Sequence, residues 1–401
     1  MSLITHGHES RARARSGARG FSLIELMIAL TLGLIVTGAV IATFVSVHSA
    51  SKDTAAIGEL ADNGRIAIDI LQETLRGAGY MACNSTMWGG QMVVKGGLGV
   101  NQSPLQQDFS EALAGYEAQY NGADTGPGSS ITLSENPPGV TAQSDWTTSA
   151  GLGGTLDSTV ISEGQMKNDA ALPIQGSDAI AVHTTYPEVD PVYTTAASGA
   201  SSVTVQSAAG LRQGETAIVS NCAQSVVDEI DDVSGDTVRF DQSLGQSFGA
   251  GSQVGVFDTI VFYIGTGRDG DGALYTFSSA GQPQFDTPPA ELVPDVENMQ
   301  ILYGVDTNGS MAATEYVTAD QVSAAEAGNP DCQPLPGSGP VDFNCVISIK
   351  IALLVASPPG AVPMPTQART FDLLGTRVTA PIDTRMRQVF ETTVSLRDTT
   401  N

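Results

Sequence analysis

Two short stretches of the sequence have the residue types and spacing of catalytic or phosphate-binding sites. "GQSFG" (Gly245 to Gly249) fits the G-x-S-x-G pattern of a hydrolase nucleophile, which needs a histidine later in the chain. The last histidine is His183, so the stretch is interpreted as a loop and His183 as a structural residue of a strand. "GTGRDG" (Gly265 to Gly270) fits G-x-G-x-x-G, but another strand pattern follows it instead of a phosphate-binding helix. A hairpin turn is therefore predicted there.

Two acidic turns carry alternating oxygen donors of the kind that calcium binds. They are "RDGDG", with Asp269 and Asp271, and "DTNGS", with Asp306, Asn308 and Ser310. Neither has the acidic residue at the twelfth loop position that completes an EF-hand, and turn chemistry alone explains Asp, Asn and Gly at these places. The chain has four histidines and no C-x-x-C spacing. We therefore expect no metal site and no cofactor.

The chain has four cysteines, Cys83, Cys222, Cys332 and Cys345, which allow three pairings. A bond between Cys332 and Cys345 is favoured, because closing a loop of that length removes about 3 kcal/mol of unfolded-state entropy. Cys83 and Cys222 would then join the end of a helix to the sheet. All four cysteines follow a long apolar run, on the side where disulfides persist if the chain is exported.

A carboxylate stands at the start of that apolar run. Glu25 precedes Leu26–Val47, which are 22 residues without a formal charge and span about 33 Å as a helix, enough to cross a bilayer core of about 30 Å. Four arginines and one acidic residue lie within residues 1–20, whereas the whole chain has a net charge of -25. The positive-inside tendency keeps this basic leader in the cytoplasm and exports the acidic remainder. The acidic remainder also argues against binding to nucleic acid.

The residues around Glu25 resemble a known processing signal. A basic leader ending in Gly20, followed by Phe21-Ser-Leu-Ile-Glu25-Leu and an apolar helix, resembles the class III signal of type IV pilins and type II secretion pseudopilins. The resemblance implies that a prepilin peptidase cleaves after Gly20 and methylates the amine of Phe21. It also implies that Glu25 meets the Phe21 amine of a neighbouring subunit. The alternative is that Glu25 only extends to the cytoplasmic interface.

Four further patches resemble PilW-type minor pilins. They are "LRGAGYMAC" (Leu75 to Cys83), "VENMQILYGVD" (Val296 to Asp306), "VISIKIALLVAS" (Val346 to Ser357) and "RQVFETTVSLRD" (Arg387 to Asp398).

The elements that hold these residues form an α+β arrangement. One helix is predicted from Phe21 to Arg76, apolar all round in its first half and amphipathic in its second. The inward stripe of the second half is predicted to be Ile57, Leu60, Gly64, Ile68, Leu71 and Leu75. A short helix is expected near Gln106–Tyr120, and strands of a largely antiparallel sheet from Asp178 onwards. The predicted division is a cleaved leader (1–20), a transmembrane assembly half of the helix (21–47), its amphipathic half (48–79), an irregular insertion (80–176) and a β-rich head (177–401).

These observations predict a structural, non-enzymatic minor pilin that helps prime or cap a type IV pilus. The resemblance implies as partners the prepilin peptidase, other minor pilins, the major pilin, the inner-membrane assembly platform and a tip adhesin. The protein is expected to cross the inner membrane once, with its head in the periplasm, before it enters the pilus. A minor pseudopilin of a type II secretion system remains the close alternative. An exported binding protein or enzyme tethered by the helix is the alternative from another class.

Overall fold

A computed structural model describes 14 parts of the chain. They are residues 22–82, 84–85, 91–95, 112–134, 146–147, 173–185, 190–221, 223–268, 270–278, 289–329, 332, 343, 345–362 and 367–396. The chain forms two compact units, Met1–Ala55 and Ala56–Asn401. The second unit is called the head below.

One long helix, α1 (Leu23–Arg76), contributes to both units. It ends where Gly77 and Ala78 donate backbone hydrogen bonds to the carbonyls of Thr74 and Leu75, which tightens the last turn. Gly79 then takes a positive φ of 77°, the left-handed conformation that commonly follows a helix and that glycine adopts without strain. The predicted end at Arg76 is confirmed, and the predicted start at Phe21 lies outside the described residues.

The other elements in the described parts of the chain are strands of 2–14 residues, a 3-10 turn and one short helix. The first eleven strands are β1 (Tyr80–Met81), β2 (Asn84–Ser85), β3 (Gln91–Val94), β4 (Leu113–Tyr120), β5 (Ala123–Asp124), β6 (Ser130–Thr132), β7 (Trp146–Thr147), β8 (Ala179–Thr185), β9 (Asp190–Thr194), β10 (Ser202–Val205) and β11 (Thr216–Ser220). The next seven are β12 (Gln224–Ser234), β13 (Thr237–Phe240), β14 (Gln253–Thr266), β15 (Gly272–Ser278), β16 (Ala290–Pro294), β17 (Val296–Val305) and β18 (Glu315–Val317). After a 3-10 turn (Ala319–Gln321) come α2 (Val322–Glu326), β19 (Val346–Ala356), β20 (Thr370–Leu373), β21 (Thr376–Thr379) and β22 (Arg387–Ser395).

A four-stranded antiparallel sheet in the order β18-β17-β19-β22 supports the second half of α1. Strand β19 shows why this sheet is the centre of the head. Its Ile351 and Leu353 join the core that contains Leu71 of α1, whereas Ala352 and Leu354 face the sheet β20-β21-β6. Both faces of β19 are buried, which explains the nearly continuous apolar sequence of this strand.

A larger sheet runs from the head core into a small barrel. Strands β4, β8, β14, β15 and β16 pair antiparallel in that order and contribute to the same core as α1. The first residues of β14 leave this sheet and pair with β9 and β11. Those strands, together with β10, β12 and β13, form a closed ring that we call the barrel (residues 190–256).

The predicted α+β class is confirmed by this long amino-terminal helix and the largely antiparallel sheets. The helix expected near Gln106–Tyr120 is wrong over its described part, because Leu113–Tyr120 is strand β4, paired with β8. The first six residues of β4 are all buried, so a periodic pattern of exposed positions gives no guide to its conformation. The predicted division into five segments stays a prediction.

Candidate functional site

Glu25 lies in the first turn of α1, and its side chain is exposed in the isolated chain. Among the described residues it forms no ion pair, and the uncharged run of Leu26–Val47 begins directly after it. A carboxylate here can accept a positive group brought by another molecule, and the amino-terminal end of a helix favours negative charge. Gly20 and Phe21, the predicted processing residues, lie outside the described residues.

The apolar half of α1 exposes its large side chains on every face. Leu23 is 79% exposed and Phe44 is 71% exposed. By length and composition, α1 is the one helix in the described parts of the chain that could cross a membrane. Apolar surface of this extent has to be covered by lipid or by other helices.

The second half of α1 packs on the sheet through small residues. A Cβ atom built on Gly64 would lie 2.3 Å from the ring of Phe390 on β22, so the helix and strand approach closely because residue 64 has no side chain. The amide of Gln72 donates a hydrogen bond to the hydroxyl of Thr392, and Asn63 Nδ2 lies 3.4 Å from the carbonyl oxygen of Pro294. Strand β22 therefore holds α1 in its place on the head.

The stripe predicted for this half of α1 is largely confirmed. Leu60, Gly64, Leu71 and Leu75 are buried, and Ile68 is half-buried. The prediction for Ile57 is wrong, because its side chain is 53% exposed and the neighbouring Ala56 is buried instead.

A disulfide joins Cys332 to Cys345, as predicted, with Cα atoms 5.6 Å apart. Its surroundings connect α2 to the ends of two strands. Cys345 donates its amide to Glu326 at 2.8 Å, and its carbonyl accepts the amide of Asp306 at 2.9 Å. The amide group of Asn329 donates to the Asp306 carbonyl at 3.0 Å. Cys83 and Cys222 lie outside the described residues, so their pairing stays a prediction.

The "DTNGS" turn uses its oxygens for its own backbone. The carboxylate of Asp306 accepts amides from Asn308, Ser310 and Met311 at 2.6–3.1 Å, and Asn308 accepts the Ser310 amide. Although partial burial opposes it, these backbone hydrogen bonds hold the pKa of Asp306 below its usual value. In the other acidic turn, Asp271 forms an ion pair with Arg385, and Asp269 is not among the described residues. Both described carboxylates therefore have partners within the protein.

The two stretches that resemble catalytic or phosphate-binding motifs lie in a loop and in a hairpin turn, as predicted. "GQSFG" lies in the loop between β13 and β14, with Phe248 buried in the barrel. "GTGRDG" ends β14 and begins the hairpin to β15, where Gly267 donates to the Asp271 carbonyl at 2.6 Å. His183 is fully buried in β8, with its ring centroid 6.0 Å from that of Phe257.

A buried ion-pair network fixes the beginning of β22. This network was not predicted from the sequence, because only the residue types, and no local pattern, indicate it. Nε and Nη2 of Arg387 bind Glu297 at 2.6 and 2.8 Å, and Nη1 and Nη2 bind Asp383 at 2.8 and 2.5 Å. The neighbouring Arg385 pairs with Asp271 and Asp295. The side chain of Arg387 is only 4% exposed, so four charge-assisted hydrogen bonds compensate its burial. The network joins β22 to the turns that precede β15 and β17.

A second buried group, also missed, is a pair of acids under β17. Glu117 and Asp178 are 1% and 2% exposed. Asp178 accepts the amides of Ala118 at 2.9 Å and Ile301 at 2.8 Å, which holds β4, β8 and β17 together. Burial raises the pKa of Asp178 to about 7, and burial together with the charge of Asp178 raises the pKa of Glu117. Nothing in the periodicity of the sequence distinguishes these acids from exposed ones.

Two family models match the chain. Residues 261–398 match type IV pilus-assembly protein W, and residues 15–41 match the prokaryotic N-terminal methylation motif. These matches confirm the resemblance to PilW-type prepilins. The PilW match extends from the second half of β14 to β22, and so includes the sheet that holds α1 and the Arg387 network. The motif match includes Gly20, Phe21 and Glu25.

Comparison with solved structures gives distant likenesses, two of which follow. A type IV-like pilin from Thermus thermophilus is 16% identical over 47% of this chain and 87% of that chain, with a TM-score of 0.20. The Gp54 tailspike of Acinetobacter baumannii bacteriophage AP22, solved with a capsular saccharide, is 15% identical over 19% of this chain, with a TM-score of 0.17. This chain spans only 15% of the tailspike. Neither score is high enough to support an argument. No curated protein sequence matches the chain.

Proposed function

We propose that this protein is a minor pilin of a type IV pilus, a structural component that helps prime or cap assembly together with other minor pilins. The observation that carries the proposal is that a prepilin processing motif and a PilW match occur on one chain, at its opposite ends. Its role is mechanical, without catalysis: α1 joins the subunit to its neighbours, and the head makes lateral contacts.

Prepilin peptidase would cleave after Gly20 and methylate the new amine of Phe21. The amine then carries a positive charge at the amino end of an apolar helix, four positions before Glu25 in the sequence. An unpaired carboxylate at membrane depth costs up to a few kcal/mol, whereas an ion pair with the Phe21 amine of an adjacent subunit removes much of that cost. This pairing would fix how far one helix slides along the next.

The subunit would wait in the inner membrane, with α1 crossing once and the head in the periplasm. The basic leader supports this orientation, and the Cys332–Cys345 bond agrees with an oxidising compartment. From there it would meet other minor pilins, the major pilin, the assembly platform and a tip adhesin.

The decisive experiment replaces Glu25 by Ala in the chromosomal copy and counts surface pili and twitching motility. We expect both to fall by at least about tenfold, since one unpaired buried amine costs on the order of 1.4 kcal/mol or more per contact. Glu59→Ala is the matched control, because Glu59 is an exposed glutamate on the head half of the same helix. Normal piliation in the Glu25→Ala strain would count decisively against the proposal. It would favour the alternative that the helix only tethers an exported binding protein or enzyme to the membrane.

The amino terminus of the mature protein tests the processing step. Mass spectrometry of purified protein should give a methylated Phe21 as the first residue. An intact Met1 would reject the prepilin interpretation. Loss of exoprotein secretion with normal pili, on deletion of the gene, would reassign the chain to a type II secretion system.

A further inference from the structure

The barrel closes on itself through a continuous circuit of strand pairs. Strand β14 pairs with β11 over residues 253–256 and with β9 over residues 253–254, on its opposite side. The circuit continues from β9 to β10, β13, β12 and back to β11. Five strands and the first residues of β14 therefore form a closed ring, and among the described residues β3 adds a parallel pairing to β12.

The barrel has a hydrophobic core of its own. Its fifteen buried apolar residues form a cluster separate from the core that contains α1. Phe240 and Phe248 are 1% and 0% exposed at its centre, and Val219, Val226 and Val254 are fully buried around them. Apart from Val93 of β3, the residues assigned to this cluster or packed against it lie within 190–256.

The two ends of the barrel segment meet at one point of the head. Thr185, the last residue of β8, is directly paired with Phe257 in β14. This point lies beside the end of α1, where Gly79 donates to the His183 carbonyl at 2.9 Å. A segment whose ends are adjacent strand partners can be added to a hairpin without changing the rest of the sheet.

We propose that the barrel is a separately folding module inserted into the β8–β14 hairpin, and that the rest of the head folds and assembles without it. The match to PilW begins at residue 261, after the barrel, which supports its accessory character. The folding part of this inference is independent of the pilin role, whereas the assembly part rests on the proposed function.

Hydrogen exchange of the full-length protein in detergent tests the folding part. Phe240→Ala removes a ring from the barrel core, and Phe262→Ala removes an equally buried ring from the head core. We expect Phe240→Ala to accelerate exchange at least about tenfold within residues 190–256 and less than about twofold in β17 and β19. Phe262→Ala should accelerate exchange in β17 and β19. Equal acceleration of both regions by Phe240→Ala would overturn separability.

A deletion tests the assembly part. Residues 186–256 are replaced by an Asn-Gly turn that joins β8 directly to β14, and Cys83→Ser is added because Cys222 is removed. The expected result is wild-type exchange in β17 and β19, a formed Cys332–Cys345 bond and pili within about twofold of the Cys83→Ser control. Absent pili with a normally protected head would overturn the accessory role. A failure of the proposed function itself is distinguishable, because piliation would then be unaffected by Glu25→Ala in the intact chain.

Discussion

Asp178 shows how one buried acid connects three strands of the head. Each of its oxygens accepts a backbone amide from a different strand, and the neighbouring Glu117 brings a second carboxylate into the same buried space. Tyr303 is also buried there, and among the described residues its hydroxyl has no hydrogen-bond partner. Such a cluster makes the stability of the head depend on pH.

The sign of that dependence follows from the raised pKa of Asp178, about 7 in the folded head against 3.8 for the free side chain. The folded state favours the protonated form, so its stability is full below about pH 4 and falls as the pH rises to about 7. The slope from this group is about 1.4 kcal/mol per pH unit. Asp178→Asn should remove this slope, as measured by urea unfolding between pH 4 and pH 8.

Asp306→Asn is a control of opposite sign, because the pKa of Asp306 is lowered. Asp306 stabilises the head above its unfolded pKa, and this contribution is lost as the pH falls through its folded pKa, below the measured range. Asp306→Asn should therefore lower the stability between pH 4 and pH 8 without removing the slope of Asp178. An unchanged slope between pH 4 and pH 7 in Asp178→Asn would contradict the assignment.

Arg387 is the second residue on which the head depends. The variant Arg387→Ala leaves Glu297 and Asp383 buried without their common partner, which is expected to cost about 3–5 kcal/mol of unfolding free energy. Arg387→Lys keeps the charge but loses the planar fork, so an intermediate loss is expected. Arg377→Ala is the matched control, since Arg377 is exposed and should change stability by less than about 0.5 kcal/mol. Equal stability of all three variants in urea unfolding would show that the network contributes nothing.

At the scale of elements, the contact between α1 and β22 depends on a missing side chain. Gly64→Ala places a methyl group against the ring of Phe390, and we expect a loss of about 1–3 kcal/mol from overpacking. Gly58→Ala is the matched control, because nothing lies within 4 Å of its Cβ position. There the better helix propensity of Ala should stabilise the protein by up to about 1 kcal/mol.

Thermal unfolding of the two glycine variants and of Gly64→Ala/Phe390→Leu measures this contact. The smaller Leu should recover part of the loss in the double variant. Identical effects at the two glycines would mean that close packing has no role.

The elements differ in how far the sequence predicts them. The helix end at Arg76, the inward stripe of α1 and strand β19 are predictable, because periodicity and apolar runs report directly on burial. Strand β4 was missed, because a strand buried over six successive residues shows no alternation. Strands of a largely antiparallel sheet were predicted from Asp178 onwards, but the closure of the barrel depends on pairings between β9, β11 and β14 that no local pattern encodes. The ion pair of Arg387 with Glu297 likewise joins residues 90 positions apart.

At the scale of the whole molecule, the Cys332–Cys345 disulfide and the hydrophobic core both contribute to the stability of the fold. Loss of the bond in Cys332→Ser/Cys345→Ser should cost about 3 kcal/mol, because a loop of 13 residues regains its freedom in the unfolded chain. The measurement is urea unfolding of the double variant and of the wild-type protein under oxidising conditions, compared with the wild-type protein under reducing conditions. If Cys83 and Cys222 are bonded as predicted, the reduced wild type lacks both bonds and should unfold at a lower urea concentration than the double variant. Coincident unfolding of these two proteins would contradict the second bond.

The closure of the barrel has a consequence for contacts between copies of this protein. An open sheet offers unpaired backbone groups on its outermost strands, and these recruit strands from neighbouring copies into aggregates. Over the described residues of the ring, each strand has neighbours on both sides, so this part of the head presents no such template. Under the proposed function, contacts between subunits at the barrel would be made by side chains and not by backbone pairing.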